Sequence, residues 1–118
     1  MGLSVVTIVE LLHGVERAND MQRRKRRQLF VDELARDIPV HAVTIETARI
    51  AGRTLGERAS HGVNVPFEDL LIAATALQLG FAVATVNVRH FEIIPGLSVV
   101  RHRSLLVEAC VSSLVLAP

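Results

Sequence analysis

Acidic and polar side chains stand beside two predicted elements that should meet at one edge of a sheet. Asp69 lies in the first turn of a helix predicted over residues 66–79, and Asn87 and His90 follow a strand predicted over residues 81–85. In a right-handed α/β unit, helix N-termini and strand C-termini share an edge, and open α/β sheets bind their ligands there. A carboxylate in that crevice is able to bind a cation, but an acid at a helix start also complements the helix dipole, worth roughly 0.3–1 kcal/mol. Residue type alone leaves both interpretations of Asp69 open.

A second carboxylate, Glu10, has a structural explanation and a functional one. Thr7 and Glu10 stand at the spacing of a capping box, in which the Thr7 side chain bonds the Glu10 amide and Glu10 reaches back. The same position would place the Glu10 carboxylate at a helix N-terminus, on the edge where Asp69 is expected. Thr7 is predicted to cap the helix under either interpretation.

Thr85, Asn87 and His90 form the polar end of the predicted strand. Thr85 and Asn87 are able to orient a carboxylate or hold a metal-bound water, and they equally serve turn chemistry, because both side chains bond nearby backbone. The neutral imidazole of His90 is a poor ligand for Mg²⁺, which prefers oxygen. For His90 the alternatives are therefore contact with the phosphate of a nucleic acid and no functional role.

Five consecutive basic residues at 23–27 wrap round a predicted helix and cannot form one stripe. Such a run is usually a solvated face. The alternative is contact with RNA or a protein partner through Arg23, Arg24, Arg26 and Arg27, because Arg binds phosphate bidentately. Phosphate contacts would make binding fall steeply with added salt.

The elements that would position these groups alternate between helix and strand. Apolar periodicity and caps predict helices over residues 7–18, 21–36, 44–60 and 66–79. Strands are predicted over residues 38–43, 81–85 and 97–100. Residues 105–116 are apolar without a clear period, which fits a terminal helix or a segment that packs on a partner. With no linker or repeat, the 118 residues are predicted to form one α/β domain.

Composition narrows the classes of function. A net charge of +1 argues against a polycation that coats nucleic acid. The single cysteine excludes an internal disulfide framework and a Cys-based zinc cluster. No signal-peptide pattern and no apolar run long enough to span a bilayer is visible, so we expect a cytoplasmic protein with no membrane partner.

Two sequence blocks carry a family resemblance. EDLLIAATALQLG, followed by TVNVRHFEIIPGL, resembles the second half of a PIN domain, in which an Asp opens an alanine-rich helix and a strand ends in Thr-x-Asn. SVVTIVELLHGVERA, at residues 4–18, is similar to the earlier block of that family, T-x-x-E-L-x-x-G. The resemblance is closest to VapC-type ribonuclease toxins and covers roughly residues 3–100, with 101–118 as a C-terminal extension.

This resemblance implies a PIN-like three-layer α/β domain, with a parallel sheet and helices on both faces. It implies an endoribonuclease dependent on Mg²⁺ or Mn²⁺, in which Glu10 and Asp69 are the catalytic and metal-binding acids and Thr85, Asn87 and His90 support them. The implied partners are an RNA substrate, a cognate antitoxin and a second copy in a homodimer.

The sequence departs from the family pattern at its start and at His90, where the family often has an acid. A PIN domain begins with a strand that ends in Asp and lies centrally in the sheet, and no counterpart is found here. We therefore expect an N-terminally truncated domain whose sheet has open edges. The alternative function is a catalytically inactive module that still binds an antitoxin or dimerises.

Overall fold

The computed structural model describes residues 1–102 and 111–117, and its fold is α/β, as predicted. The helices are α1 (Val5–Glu16), α2 (Met21–Asp37), α3 (Ile45–Ser60), α4 (Phe67–Leu79) and α5 (Val88–Phe91). The strands are β1 (Leu3–Ser4), β2 (Val40–His41), β3 (Ala82–Thr85), β4 (Val99–Arg101) and β5 (Ser113–Leu116). Among the described residues, every helix is too short or too polar to cross a bilayer.

The strands follow one another across the fold in the order β2-β1-β5-β3-β4. β1 pairs with β2 and β3 pairs with β4, both in parallel, whereas β5 runs antiparallel to β3. An antiparallel bridge joins β5 to the start of β1, through bonds of 2.8 Å from Gly2 N–H to the Val115 carbonyl and 3.0 Å in return. The predicted parallel pairing is therefore confirmed, and β5 connects the two parallel pairs.

β5 corrects two expectations about the end of the chain. The segment 105–116 was predicted as a terminal helix or a partner-binding segment, and the centre of the sheet was expected to lack a strand. Instead Ser113–Leu116 forms a strand between β1 and β3, while residues 103–110 of that segment lie outside the described residues. Burial alternates along β5, so one side of the strand packs more tightly than the other, which is a strand pattern rather than a helical one.

Two hydrophobic cores lie on opposite faces of β5. One core contains Leu70 of α4, Val83 of β3 and Val115 of β5, and the other contains Leu11 of α1 with Leu114 packed against it. Neighbouring residues of a strand point to opposite faces, so Leu114 and Val115 separate the two cores. Helices α3 and α4 contribute to the first core and α1 and α2 to the second, which confirms helices on both faces.

Helix α4 begins and ends where the sequence predicts. Pro66 precedes its first residue, and Gly80 ends it in the left-handed conformation with φ 71°. Residues 72–76 are all nearly inaccessible to solvent in the interior of the fold. Because this helix is held so firmly, the first turn that carries Asp69 is fixed at the edge of the sheet.

The start of α1 differs from the prediction. Ser4 is the N-cap, and its side chain accepts a bond from the amide two residues on at 3.1 Å. Thr7 lies inside the helix, and its buried hydroxyl has no hydrogen-bond partner among residues 1–102 and 111–117. The predicted Thr7–Glu10 capping box is therefore wrong, because the helix begins nearly one turn earlier. The helix predicted over residues 44–60 is confirmed with Thr44 as its N-cap, and Thr44 and Thr47 bond each other reciprocally at 3.2 Å.

Two further elements were predicted poorly. Only Val40–His41 of the expected strand 38–43 is paired, and Pro39 has no N–H to extend the ladder. The one-turn helix α5 was not predicted, because four residues carry little periodic signal. It places Phe91 in the core with no exposed surface, which fixes the segment that follows β3.

Candidate functional site

Three carboxylates gather where α1 packs against the first turn of α4. Glu10 lies in the second turn of α1, not at its N-terminus as predicted, because the helix begins at Val5. Partial burial raises the pKa of the Glu10 carboxyl above its usual value, and the negative charges of Asp69 and Glu68 raise it further. A hydrogen bond with the Ser112 side chain acts in the opposite direction and lowers it. Two predicted acids, Glu10 and Asp69, thus lie close enough to repel each other.

Asp69 is in direct contact with His90. The distance from His90 Nδ1 to Asp69 Oδ2 is 2.7 Å. The Asp69 side chain is 15% exposed and that of His90 is 50% exposed, so the acid is the more enclosed of the two. The imidazole holds one carboxylate oxygen and leaves the other for a ligand.

Thr85 has a structural role at the end of β3. It is fully buried, and its hydroxyl accepts a bond from the Asn87 N–H at 3.0 Å and lies 3.1 Å from the Ser113 hydroxyl. Of the two alternatives for Thr85, the geometry matches turn chemistry. The Asn87 side chain is exposed and makes no capping bond to α5, so it is accessible to a ligand.

Two arginines of the basic run fasten α2 to the end of α1. Arg24 Nη2 donates to the Glu16 carbonyl at 3.2 Å and also lies 3.7 Å from the Glu16 carboxylate. Arg27 Nη1 donates to the Gly14 carbonyl at 2.8 Å. The last four carbonyls of a helix have no partner within it, and they form the negative end of its dipole. Arg24 and Arg27 therefore stabilise the packing of the two helices, whereas Arg23 is exposed.

A first cleft, the Glu10 cleft, opens between α1 and α2. It has a volume of about 600 Å³ and is lined by, among others, Glu10, His13, Arg17, Asn19, Arg27 and Ser112. Because His13 and Arg17 follow Glu10 by three and seven residues, all three lie on one face of α1. The cleft thus runs from an acid toward basic side chains.

A second cleft, the His90 cleft, opens beyond the end of β3. It has a volume of about 230 Å³ and is lined by Val86, Asn87, Val88, Arg89, His90 and Arg101. Arg101 ends β4 directly opposite Thr85 in the parallel register. The cleft is linked to Asp69 through His90, which lines it and contacts the acid at 2.7 Å.

The donor set fits a hydrated Mg²⁺ or Mn²⁺. Mg²⁺ usually binds through one or two carboxylates and keeps several waters or substrate oxygens. Glu10 and Asp69 offer such a pair, and after burial it is the negative charge of Asp69 and Glu68 that raises the pKa of the Glu10 carboxyl, a charge that a cation would balance. Within residues 1–102 and 111–117 there is no larger group of His, Cys, Asp and Glu suited to a metal. The residues present therefore suit a cation that shares its coordination with water and substrate.

Several residues of the site were not identified from the sequence. Arg17 was detectable, since it lies seven residues after Glu10 on the same helix face. Arg101 was not singled out, although it directly follows a predicted strand. Ser112 gave no signal, because its place beside Glu10 depends on the pairing of β5 with β3.

Comparisons with known proteins agree with this fold. The PIN domain family matches residues 1–97 of the chain. Ribonuclease VapC1 of Rickettsia felis is 30% identical over 97 residues, which make up 82% of this chain and 72% of that protein. The tRNA(fMet)-specific endonuclease VapC of Salmonella typhimurium is 30% identical over 99 residues, or 84% of this chain and 73% of that protein. The structure of VapBC-5 from Mycobacterium tuberculosis, a member of the VapBC family of toxin–antitoxin systems, matches with a TM-score of 0.72 at 29% identity, over 86% of this chain and 80% of that chain.

Proposed function

Because this chain belongs to the PIN domain family, we propose that it is an endoribonuclease dependent on Mg²⁺ or Mn²⁺ and acts as the toxin of a VapBC-type pair. The ribonuclease and endonuclease relatives, at 30% identity, support this activity. The observation that carries the proposal is the partly enclosed Asp69 carboxylate, held by His90 at 2.7 Å, with Glu10 close enough that burial first, and the charge of Asp69 second, raise the pKa of the Glu10 carboxyl.

In the proposed mechanism, Glu10 and Asp69 hold the metal. The bound metal would activate a water for in-line attack on a phosphodiester and would stabilise the developing charge. His90 fixes the orientation of Asp69 through its 2.7 Å contact. Ser112 bonds Glu10, and Thr85 fixes the backbone that carries Asn87.

The proposed partners are an RNA substrate, a cognate antitoxin and a second copy of the chain. An apolar stripe on α1 supports a protein partner. Val5, Val9 and Leu12 are 38%, 63% and 39% exposed, and their spacing places them on one face of the helix. A surface of this kind is suited to burial against another protein.

Cleavage of RNA by the purified chain tests the activity. We expect cleavage in Mg²⁺ that EDTA abolishes, and a loss of at least about a hundredfold in Asp69→Asn, since even the outer partners of a metal site are worth 10–100-fold. Asp37→Asn is the matched control, because it removes the same charge at an exposed position on α2. Thermal unfolding of each variant establishes that it is folded. Cleavage that persists in EDTA, or that Asp69→Asn retains, would contradict the proposal.

A second candidate is an inactive module that binds an antitoxin or dimerises. The small donor set of the described residues favours it, because even with Glu68 and His90 close by, no group of three or more acidic, histidine or cysteine side chains there is suited to hold a metal. Electron paramagnetic resonance of added Mn²⁺ separates the candidates. The nuclease should bind Mn²⁺ in a manner that Asp69→Asn weakens, whereas the inactive module should leave the Mn²⁺ spectrum unchanged.

A further inference from the structure

The two carboxylates lie between two basic clefts. Glu10 lines the first cleft, together with His13, Arg17 and Arg27. Asp69 is bonded by His90, which lines the second cleft. Arg89 and Arg101 supply the positive charge of that second cleft. A ligand that extends from Glu10 or Asp69 into the adjoining cleft therefore passes from negatively charged to positively charged side chains.

The clefts adjoin each other across the entry to β5. Ser112 lines the Glu10 cleft, and its carbonyl accepts a hydrogen bond of 3.0 Å from the N–H of Val86, which lines the His90 cleft. Since β5 is antiparallel to β3, its first residues lie at the same edge as the end of β3. The clefts are thus separated by a single backbone hydrogen bond.

The arginine side chains of the two clefts differ in whether they already make hydrogen bonds within the protein. Arg27 already donates to the Gly14 carbonyl, so part of its hydrogen-bonding capacity is used by the fold. Arg17 and Arg101 are exposed, and neither guanidinium has a hydrogen-bond or ion-pair partner among residues 1–102 and 111–117. Arg guanidinium groups bind phosphate oxygens bidentately, so each cleft offers at least one guanidinium for a phosphate.

We propose that a single strand of RNA lies across the edge of the sheet, with one phosphate at Arg17 in the Glu10 cleft and another at Arg101 in the His90 cleft. This inference rests on the proposed nuclease function and specifies how its substrate is held. The phosphodiester between the two anchored phosphates then lies over Glu10 and Asp69. The arrangement suits an internal position of a chain, because a terminal nucleotide reaches one cleft alone.

The size of the clefts favours a single strand over a duplex. Sites for drug-sized ligands measure roughly 300–1,000 Å³, and the His90 cleft has about 230 Å³. A space of that size suits one nucleotide backbone better than two paired strands. The electrostatic attraction between these arginine side chains and RNA phosphates is independent of base sequence and sensitive to salt.

Binding of a fluorescent single-stranded RNA in EDTA tests the inference without metal or cleavage. With a probe of roughly ten nucleotides, within the site sizes of single-strand-binding folds, Arg17→Ala and Arg101→Ala should each weaken binding by roughly twofold to fivefold, as for an exposed ion pair. Each should also lower the slope of log affinity against log salt by about 0.7. Arg53→Ala, an exposed arginine on α3 that lines neither cleft, is the matched control.

The double variant and a dinucleotide probe sharpen the test. In the double variant, the losses of affinity that Arg17→Ala and Arg101→Ala each cause should combine for the long probe. The dinucleotide has one phosphate, so its binding should respond to one of the two substitutions at most. The inference is overturned if either variant binds the long probe as Arg53→Ala does. It is also overturned if polyglutamate, in place of RNA, is the ligand that both substitutions weaken, since the clefts would then take an acidic protein segment. Failure of the proposed nuclease would show instead as absent cleavage in Mg²⁺ with this binding pattern retained.

Discussion

His90 Nδ1 and Asp69 Oδ2 lie 2.7 Å apart, and the two residues come from helices that flank β3 in the chain. The contact ties the position of α5 to the carboxylate on α4. Because α5 is one turn long and anchored by the buried Phe91, His90 is presented to Asp69 by packing rather than by helix propensity. The proposed metal site thus depends on the core beneath it.

Replacing His90 by Ala should weaken Mn²⁺ binding by about tenfold, because hydrogen-bond partners of ligating carboxylates are typically worth 10–100-fold in affinity. The loss should appear in an Mn²⁺ titration followed by electron paramagnetic resonance. His61→Ala is the control, since His61 is an exposed histidine that bonds Glu57 away from the site. Unchanged or tighter Mn²⁺ binding in His90→Ala would refute an orienting role.

Replacing Glu10 by Gln should stabilise the protein near neutral pH. The Glu10 pKa is raised in the fold, chiefly by partial burial, so ionisation is less favourable there than in the unfolded chain. The stability that the protonated carboxyl contributes is present below the pKa that Glu10 has in the unfolded chain, and it is lost as pH rises through the higher pKa of the folded protein. The melting temperature of Glu10→Gln should therefore be higher than that of the native protein at neutral pH. The difference between the two melting temperatures should shrink as the pH falls.

Glu92→Gln controls for the change in net charge in that experiment, because Glu92 is exposed and lines neither cleft. If Glu10→Gln melts lower than the native protein at neutral pH, the charge on Glu10 is favourable in the fold and the argument fails.

The cap of α1 predicts opposite effects for two neighbouring hydroxyls. Ser4→Ala should lower the free energy of unfolding by about 1 kcal/mol, because Ser4 caps the helix. Thr7→Val should leave it unchanged or raise it by up to about 1 kcal/mol, because its buried hydroxyl lacks a partner among the described residues. Urea unfolding measures both. If Thr7→Val costs as much as Ser4→Ala, the Thr7 hydroxyl is bonded after all.

The hydroxyl pair of Thr85 and Ser113 couples β3 to β5. Thr85→Val should cost about 1–3 kcal/mol, because it leaves the buried Ser113 hydroxyl without that partner. Thr85→Val combined with Ser113→Ala should cost less than the sum of the single changes, by about 1 kcal/mol. Ser60→Ala, on the surface at the end of α3, is the control. Its effect on the free energy of unfolding should simply add to that of Thr85→Val. Strict additivity for the first pair would show that the hydroxyls contribute independently.

Strong local signals explain why α4 and β3 were predictable. Pro66 and Gly80 mark the two ends of α4, and the short apolar run after Gly80 suits a buried strand. The common edge of Asp69 and Asn87 followed from topology alone, because parallel connections have one hand.

Tertiary pairing explains what the sequence could not predict. Ser4 and Thr7 are both good caps, and the choice between them follows from the pairing of β1 with β2, which keeps Leu3–Ser4 extended. The residues of β5 have no strand character until β1 and β3 are placed on either side of them. For the same reason, the bonds from Ser112 to Glu10 and from His90 to Asp69 could not be inferred from spacing along the chain.

The bridge between Gly2 and Val115 sets the order in which the protein can fold. Nearly the whole chain separates these two residues, and contacts of such long sequence separation form slowly. The parallel pairs β1–β2 and β3–β4 are able to form while the chain is still being translated, but the strand that hydrogen-bonds to both is missing until residues 113–116 have left the ribosome. The edge that unites Glu10 with Asp69 is therefore completed late, so a nascent chain should lack the assembled site until β5 is made.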